Sequence, residues 1–245
     1  MIKINESDLK KMKILAIDSS AISAGCAIVE DGGVIAESFV RVGLTHSETL
    51  LPMVSNTLAN AKLTPDDIDC YAVSSGPGSF TGIRIGVAAV KGMAFTNNTS
   101  CIGVSTLEAI AWNCYALDGV ICSVMDARRQ QVYNALFTFD GESIHRLCDD
   151  RAIFIEELTN ELKIHQRTVY LAGDGAVLCY NAMCDILPNV RLVPEHIRYA
   201  RGFGVAMAAQ RILANDGAVT PDRLIPTYLR PSQAEREKMN LKLRK

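Results

Sequence analysis

The chain is predicted to fold as an α/β protein of two similar lobes, each a mixed sheet with helices, related by an internal duplication. Three observations carry this prediction. A short apolar strand ends in an aspartate twice, at Asp18 and Asp126, 108 residues apart. Each is followed by two further strand-like runs joined by an aspartate-glycine turn, Asp31-Gly32-Gly33 and Asp140-Gly141, whose aspartates are 109 residues apart. The next strand in each half then leads into a glycine-bearing loop, Gly76-Pro77-Gly78 and Gly173-Asp174-Gly175. Two such units place a ligand cleft between them.

Taken in order, residues 14–18, 24–30 and 34–40 read as strands, followed by a helix from His46 to Lys62. Thr45 with Glu48 three residues on is a capping-box pattern for its start. Residues 68–74 form the next strand, and the glycine run opens a helix over 82–95. Ser105 and Glu108 give a second capping-box pattern, so a connecting helix is expected over 106–117. The second half follows with strands at 120–126, 131–139 and 142–148, a helix at 154–163 and a strand at 168–172. The organisation is therefore a first lobe over 12–105, a second over 106–220, and a C-terminal segment over 221–245. Residues 1–11 read as an extension ahead of Met12 or as an over-long start.

The run Gly76-Pro77-Gly78-Ser79-Phe80-Thr81-Gly82-Ile83-Arg84-Ile85-Gly86 converts a buried strand into a helix within a few residues. Ser79 and Thr81 supply hydroxyls for the free amides of a helix start, which also attracts anions. Gly82 and Gly86 share one helical face and admit another backbone or a ligand. Packing corner and anion cradle both remain open at this point. The run lacks the lysine of a P-loop. Thr81 stands where a dinucleotide fingerprint has its third glycine, and Ser79 has Pro77 and Thr81 where a nucleophile elbow has glycines.

With 49% hydrophobic and 21% charged residues, the chain can bury a large core, and its net charge of -2 argues against an unaided grip on a nucleic-acid backbone. No apolar run has membrane-spanning length, and charges interrupt the N-terminus where a signal peptide would be apolar; a cytoplasmic location is expected. The eight cysteines contain no Cys-x-x-Cys pair and read as reduced, packed residues. From Ser232 to Lys245 the chain is rich in charge and reads as a solvated or partner-dependent tail.

Two helices carry more apolar surface than one sheet would cover. Leu51, Val54, Leu58 and Ala61 form a stripe on the first, and Ile83, Val87, Val90 and Ala94 on the second. These eight are the expected partner interface.

The landmarks together resemble the TsaB (YeaZ) family over Met12 to about Arg230. They are Ile14 to Ser19, His46-Ser47-Glu48, the full run Gly76 to Gly86, Ser105-Thr106-Leu107-Glu108, Asp126-Ala127-Arg128 with Val132-Tyr133, Gly173-Asp174-Gly175, and Tyr228-Leu229-Arg230. The resemblance implies a two-lobed fold of the actin, Hsp70 and sugar-kinase (ASKHA) type. It implies a non-catalytic subunit that binds and activates the paralogous transferase TsaD in forming threonylcarbamoyladenosine in tRNA, with the ATPase TsaE as a further partner. It also implies homodimer formation through the same helices, tRNA contact only within the complex, and no cofactor or metal of its own, ATP and metal being held by partner subunits. TsaD places two histidines four apart on its metal-binding helix; here the positions read His46 and Leu50, so a metal role is not expected. Asp18 and Asp126, with Ser79 and Thr81, match positions where nucleotide-binding relatives hold phosphate and Mg²⁺. They read as vestigial, the alternative being a small-molecule kinase or ATPase that uses them. Peptidase activity ranks below both.

Overall fold

In the computed structural model, which describes residues 11–43 and 45–230, two sheets of one plan flank a pair of central helices. The first half contains β1 (Lys13–Asp18), β2 (Ala24–Glu30), β3 (Gly33–Val40), α1 (His46–Ala61), β4 (Cys70–Gly76), α2 (Phe80–Phe95) and β5 (Ser100–Ser105). Its sheet runs β3-β2-β1-β4-β5, antiparallel through the meander and parallel from β1 to β4 and β5.

After α3 (Thr106–Trp112), the second half contains β6 (Val120–Asp126), β7 (Gln131–Phe139), β8 (Ile144–Arg146), β9 (Arg151–Phe154), α4 (Ile155–Leu162), β10 (Val169–Ala172), α5 (Ala176–Met183) and β11 (Val190–Leu192). It ends with α6 (Glu195–Arg198) and α7 (Gly202–Leu213). The order β11-β10-β6-β7-β8 mirrors the first sheet. The strand expected over 142–148 is only the three-residue β8, and a further strand that the sequence did not indicate, β9, follows it. β8 pairs with the Phe137–Phe139 end of β7 and β9 with its Gln131–Asn134 end, because the intervening Asp150 leaves the ladder to meet Arg146 and Ser105.

Both faces of each central strand are covered, so β1 is apolar without alternation. Leu15 and Ile17 pack beneath α1 and α2, whereas Ile14 and Ala16 face the core shared by α3, α7 and the second sheet. Helices α4 and α5 cover the outer face of the second sheet. The connecting helix stops at Trp112 and not near residue 117, continuing as turns to Ala116. Its partner α7, although C-terminal in sequence, packs on β1, β2 and β5 of the first sheet. Close approach of α3 and α7 needs Gly204: a Cβ there would stand 2.0 Å from the Ala109 carbonyl oxygen.

Residues 219–228 return to the first lobe. Val219 bridges to Cys101, Leu224 is buried among the residues under α1 and α2, and Lys91 donates to the carbonyls of Asp222 and Leu224. The expected extension, apart from Lys11, and the charged tail lie outside the described residues.

Six cysteines are buried and none of the eight forms a disulfide. Burial pushes the thiols of Cys26, Cys70, Cys114 and Cys179 up to about 12, so they are inert packing groups.

Candidate functional site

Where α2 begins, the glycine run is clamped onto the β1–β2 loop. The Ser79 amide donates to the Ser20 carbonyl at 2.7 Å, and the Ser19 hydroxyl donates to the Gly82 carbonyl at 2.9 Å. Gly78 has φ +153°, and a Cβ on it would lie 2.4 Å from the Ser20 oxygen; one on Gly82 would lie 2.0 Å from the Ser19 oxygen. Backbone meets backbone here, so only glycine fits. The Ser79 hydroxyl caps the helix by accepting from the Gly82 amide at 3.3 Å. Of the two readings the run allowed, close packing describes what these residues do.

The duplication extends to side chains. Asp18 Oδ1 accepts from the amide of Ser20, two residues on, and Asp126 Oδ1 accepts from the amide of Arg128, also two residues on. Each aspartate closes the turn after its strand. Their remaining oxygens are also engaged: the Ser20 hydroxyl donates to Asp18 Oδ2 at 2.9 Å, and the Arg128 guanidinium to Asp126 Oδ2 at 3.1 Å. Asp18 is fully buried, and that burial raises its carboxyl above the ordinary range. A donor set already committed to a hydroxyl, an arginine and backbone amides does not suit a Mg²⁺-phosphate site. Among the described residues, no three His, Cys, Asp or Glu side chains converge to hold a metal ion.

Between the lobes lies a cleft of about 490 Å³, lined by Ser79, Phe80, Thr81, Asp126, Arg128, Tyr133 and Asp174 among others. Ser79, Thr81 and Asp126 thus share one cavity, while Asp18 sits beneath Ser20 and does not line it. Asp174 also lines the cleft, a site residue that the sequence reading does not include. Burial, reinforced by the charges of Asp126 and Asp18, lifts its carboxyl to about 6. Its signal was the loop Gly173-Asp174-Gly175, the second-lobe counterpart of Gly76-Pro77-Gly78.

The eight residues expected at a partner interface are placed differently. Val54, Leu58, Ile83, Val87, Val90 and Ala94 are buried against the first sheet, with Val87 only 4% exposed. The apolar stripe of each helix faces its own core because the sheet beneath is apolar across its width. Leu51, 53% exposed, remains accessible, and Ala61 is half-buried. The outward face instead carries Leu51, Pro52, Ala59, Ala88, Gly92 and Phe95, with half-buried Ala89 and Met93, interspersed on α1 with exposed Ser55, Asn56 and Asn60. A groove of about 400 Å³ between the helices is lined by Leu51, Leu63, Pro65 and Met93. Nearby, the His46 ring donates through Nε2 to the Ala21 carbonyl at 2.7 Å, and Leu50 is buried. The histidine ties α1 to the cleft loop.

The family model described as TsaD, tRNA N6-adenosine threonylcarbamoyltransferase, matches residues 18–235. The protein named tRNA threonylcarbamoyladenosine biosynthesis protein TsaB of Bacillus subtilis is 31% identical over 225 residues, covering 91% of this chain and 96% of its own length. The chain belongs to the TsaB (YeaZ) family. The Escherichia coli protein of the same name is 33% identical over 165 residues, covering 66% of this chain and 69% of its own. The solved structure of YeaZ from Pseudomonas aeruginosa superimposes with a TM-score of 0.78 at 23% identity, covering 89% of this chain and all of that one. That likeness and the doubled sheet order establish a two-lobed α/β fold shared with YeaZ.

Proposed function

We propose that this chain is a non-catalytic subunit of the assembly that forms N6-threonylcarbamoyladenosine in tRNA, binding and activating a TsaD-type transferase through the outward face of α1 and α2. The observation that carries this reading is the set of exposed small and apolar residues on that face, Leu51, Pro52 and Ala59 of α1 with Ala88, Gly92 and Phe95 of α2. Small side chains let a partner helix approach closely, and exposed apolar residues rimmed by polar ones are the usual mark of a protein interface. Family membership supplies the pathway. The closed α2 turn and the occupied aspartates support a lobe pair that has kept the fold without the phosphotransfer chemistry.

In this reading ATP and metal are held by TsaD-type and TsaE-type partners in the cytoplasm. A homodimer uses the same helices and competes with the transferase for them. Transfer of RNA-directed chemistry to the assembly accounts for a chain with a net charge of -2 in tRNA modification.

The test is to purify the chain with TsaD-type and TsaE-type proteins, determine the size of the assembly, and measure threonylcarbamoyladenosine with and without the chain. Full modification in its absence would overturn the proposal. ATP turnover by the isolated chain that is lost in Asp18→Asn and Asp126→Asn would favour the kinase alternative instead.

A further inference from the structure

The rim of the cleft differs in chemistry from its floor. At the floor Asp126 and Asp174 repel phosphate, and the α2 turn is filled by the Ser20 carbonyl. Along the rim, cationic and aromatic side chains gather from three separate segments.

Phe80 of α2 stacks on Tyr228 with ring centroids 4.2 Å apart and planes 5° from parallel. Arg84 donates from Nε to the Tyr228 hydroxyl at 2.8 Å, its guanidinium 5.4 and 5.6 Å from the two ring centroids. Two residues beyond Tyr228, Arg230 reaches the other lobe, donating to the Ala127 carbonyl at 3.4 Å. Ala127 and the adjoining Arg128 both line the cleft. Arg128, Arg129 and Gln130 have φ of 65°, 57° and 59°, a left-handed turn that carries both arginines on an exposed loop. Arg129 has no ion pair among the described residues, and Tyr228 is 39% exposed.

We infer that this rim, built from Phe80, Arg84, Arg129, Tyr228 and Arg230, is a contact site for a single-stranded segment of RNA. The inference rests on the tRNA-modification reading and specifies a surface for it. Arginines held beside a stacked aromatic pair match an alternation of phosphates and bases, in which a base adds to the stack and guanidiniums meet the phosphates either side. A free nucleotide fits less well, since its phosphates would have to enter the acidic floor. A strand lying across the rim keeps them outside it. With three or so phosphate contacts the site is weak alone and salt-sensitive, with a slope of log K on log salt near -2, at roughly -0.7 per phosphate.

The experiment measures anisotropy of a fluorescein-labelled single-stranded RNA of about ten nucleotides titrated with the full chain, alone and in the reconstituted assembly, at low salt. Binding should fall about tenfold or more in Arg84→Glu/Arg129→Glu and in Tyr228→Ala, and Arg129→Ala should lower the salt slope by close to one contact. Tyr228→Phe, which keeps the stack, should bind nearly as the parent does. Excess ATP should not displace the RNA.

No anisotropy change at low salt overturns the inference, as does binding that is indifferent to the rim variants. Displacement by ATP would make the site a nucleotide pocket. Loss of RNA access on assembly would make the rim a protein contact. All of these leave co-elution and tRNA modification by the assembly untouched, so failure here is distinguishable from failure of the proposed function.

Discussion

The Ser79 amide donates to the Ser20 carbonyl at 2.7 Å, closing with protein the turn where a phosphate-binding loop would leave its amides open. The glycines around it serve this closure. Gly82 should therefore be intolerant of even a methyl group. Gly82→Ala should destabilise the chain by about 1–3 kcal/mol in urea unfolding, because the Ser19 backbone must move away from α2. Gly92→Ala is the internal comparison: its Cβ would meet nothing within 4 Å, and relief of glycine's helix penalty should stabilise by up to about 1 kcal/mol. Equal effects at both positions would contradict the clamp.

Partner association should follow exposure and not hydrophobicity. Ala88→Glu on the outward face of α2 should shift stability by no more than about 0.5 kcal/mol, yet abolish co-elution with a TsaD-type protein. Val87→Glu, one residue earlier, buries a carboxylate in the core and should unfold the lobe. A folded Val87→Glu that fails to bind would restore the interface read from the helix stripes.

Asp174 should make stability fall as pH rises. Its folded pKa of about 6 lies above the ordinary 3.8, so the protonated form is favoured in the fold. The full contribution is present below pH 3.8 and is lost as pH rises through 6, a change of about 3 kcal/mol. Asp174→Asn, which retains an oxygen to accept from the Asp126 amide, should be more stable than the parent above pH 6 and show a flatter profile between pH 4 and 6. Urea midpoints across this range decide it; parallel profiles would count against the assignment.

Glu108 ties the central helices α3 and α7 to the second sheet. Its buried carboxylate accepts from Arg211 of α7 in a bidentate pair at 2.8 and 3.0 Å, and from Arg146 of β8 at 3.2 Å. Glu108→Ala strips two arginines of their shared partner and should cost about 3 kcal/mol or more in chemical denaturation. Arg211 is half exposed and its pairing with Glu108 is screened by water more than that of Arg146, so Arg211→Ala should cost less than Arg146→Ala.

Much of the fold was legible in the residues themselves. The paired aspartates, the matched turns and the glycine loops carried the duplication, and apolar strands bounded by turn formers placed β1, β2, β4, β6 and β7 within a few residues. Side-chain partners were less legible. Thr45 begins α1, but its hydroxyl bonds no helix amide, and its carbonyl accepts from Glu48 instead. Ser105 does accept from the Glu108 amide, while the Glu108 carboxylate is drawn to the arginines. At Ser105 the hydroxyl-to-amide half of the capping box forms as its local spacing predicts. Its carboxylate half lost to cations that only the folded chain brings near.

The sequence alone determined the two-lobed α/β plan, the family and the aspartates that end β1 and β6, since these follow from local periodicity and turn chemistry. Tertiary structure decided which face of each helix stays exposed and that Asp18 is sealed. It also brought Asp174 into the cleft and carried Tyr228 and Arg230 back to its rim. Helical spacing records that a face is apolar, not whether its own sheet is wide enough to cover it. Burial, and the charge on a carboxylate that depends on it, is a property of what distant segments place around a residue.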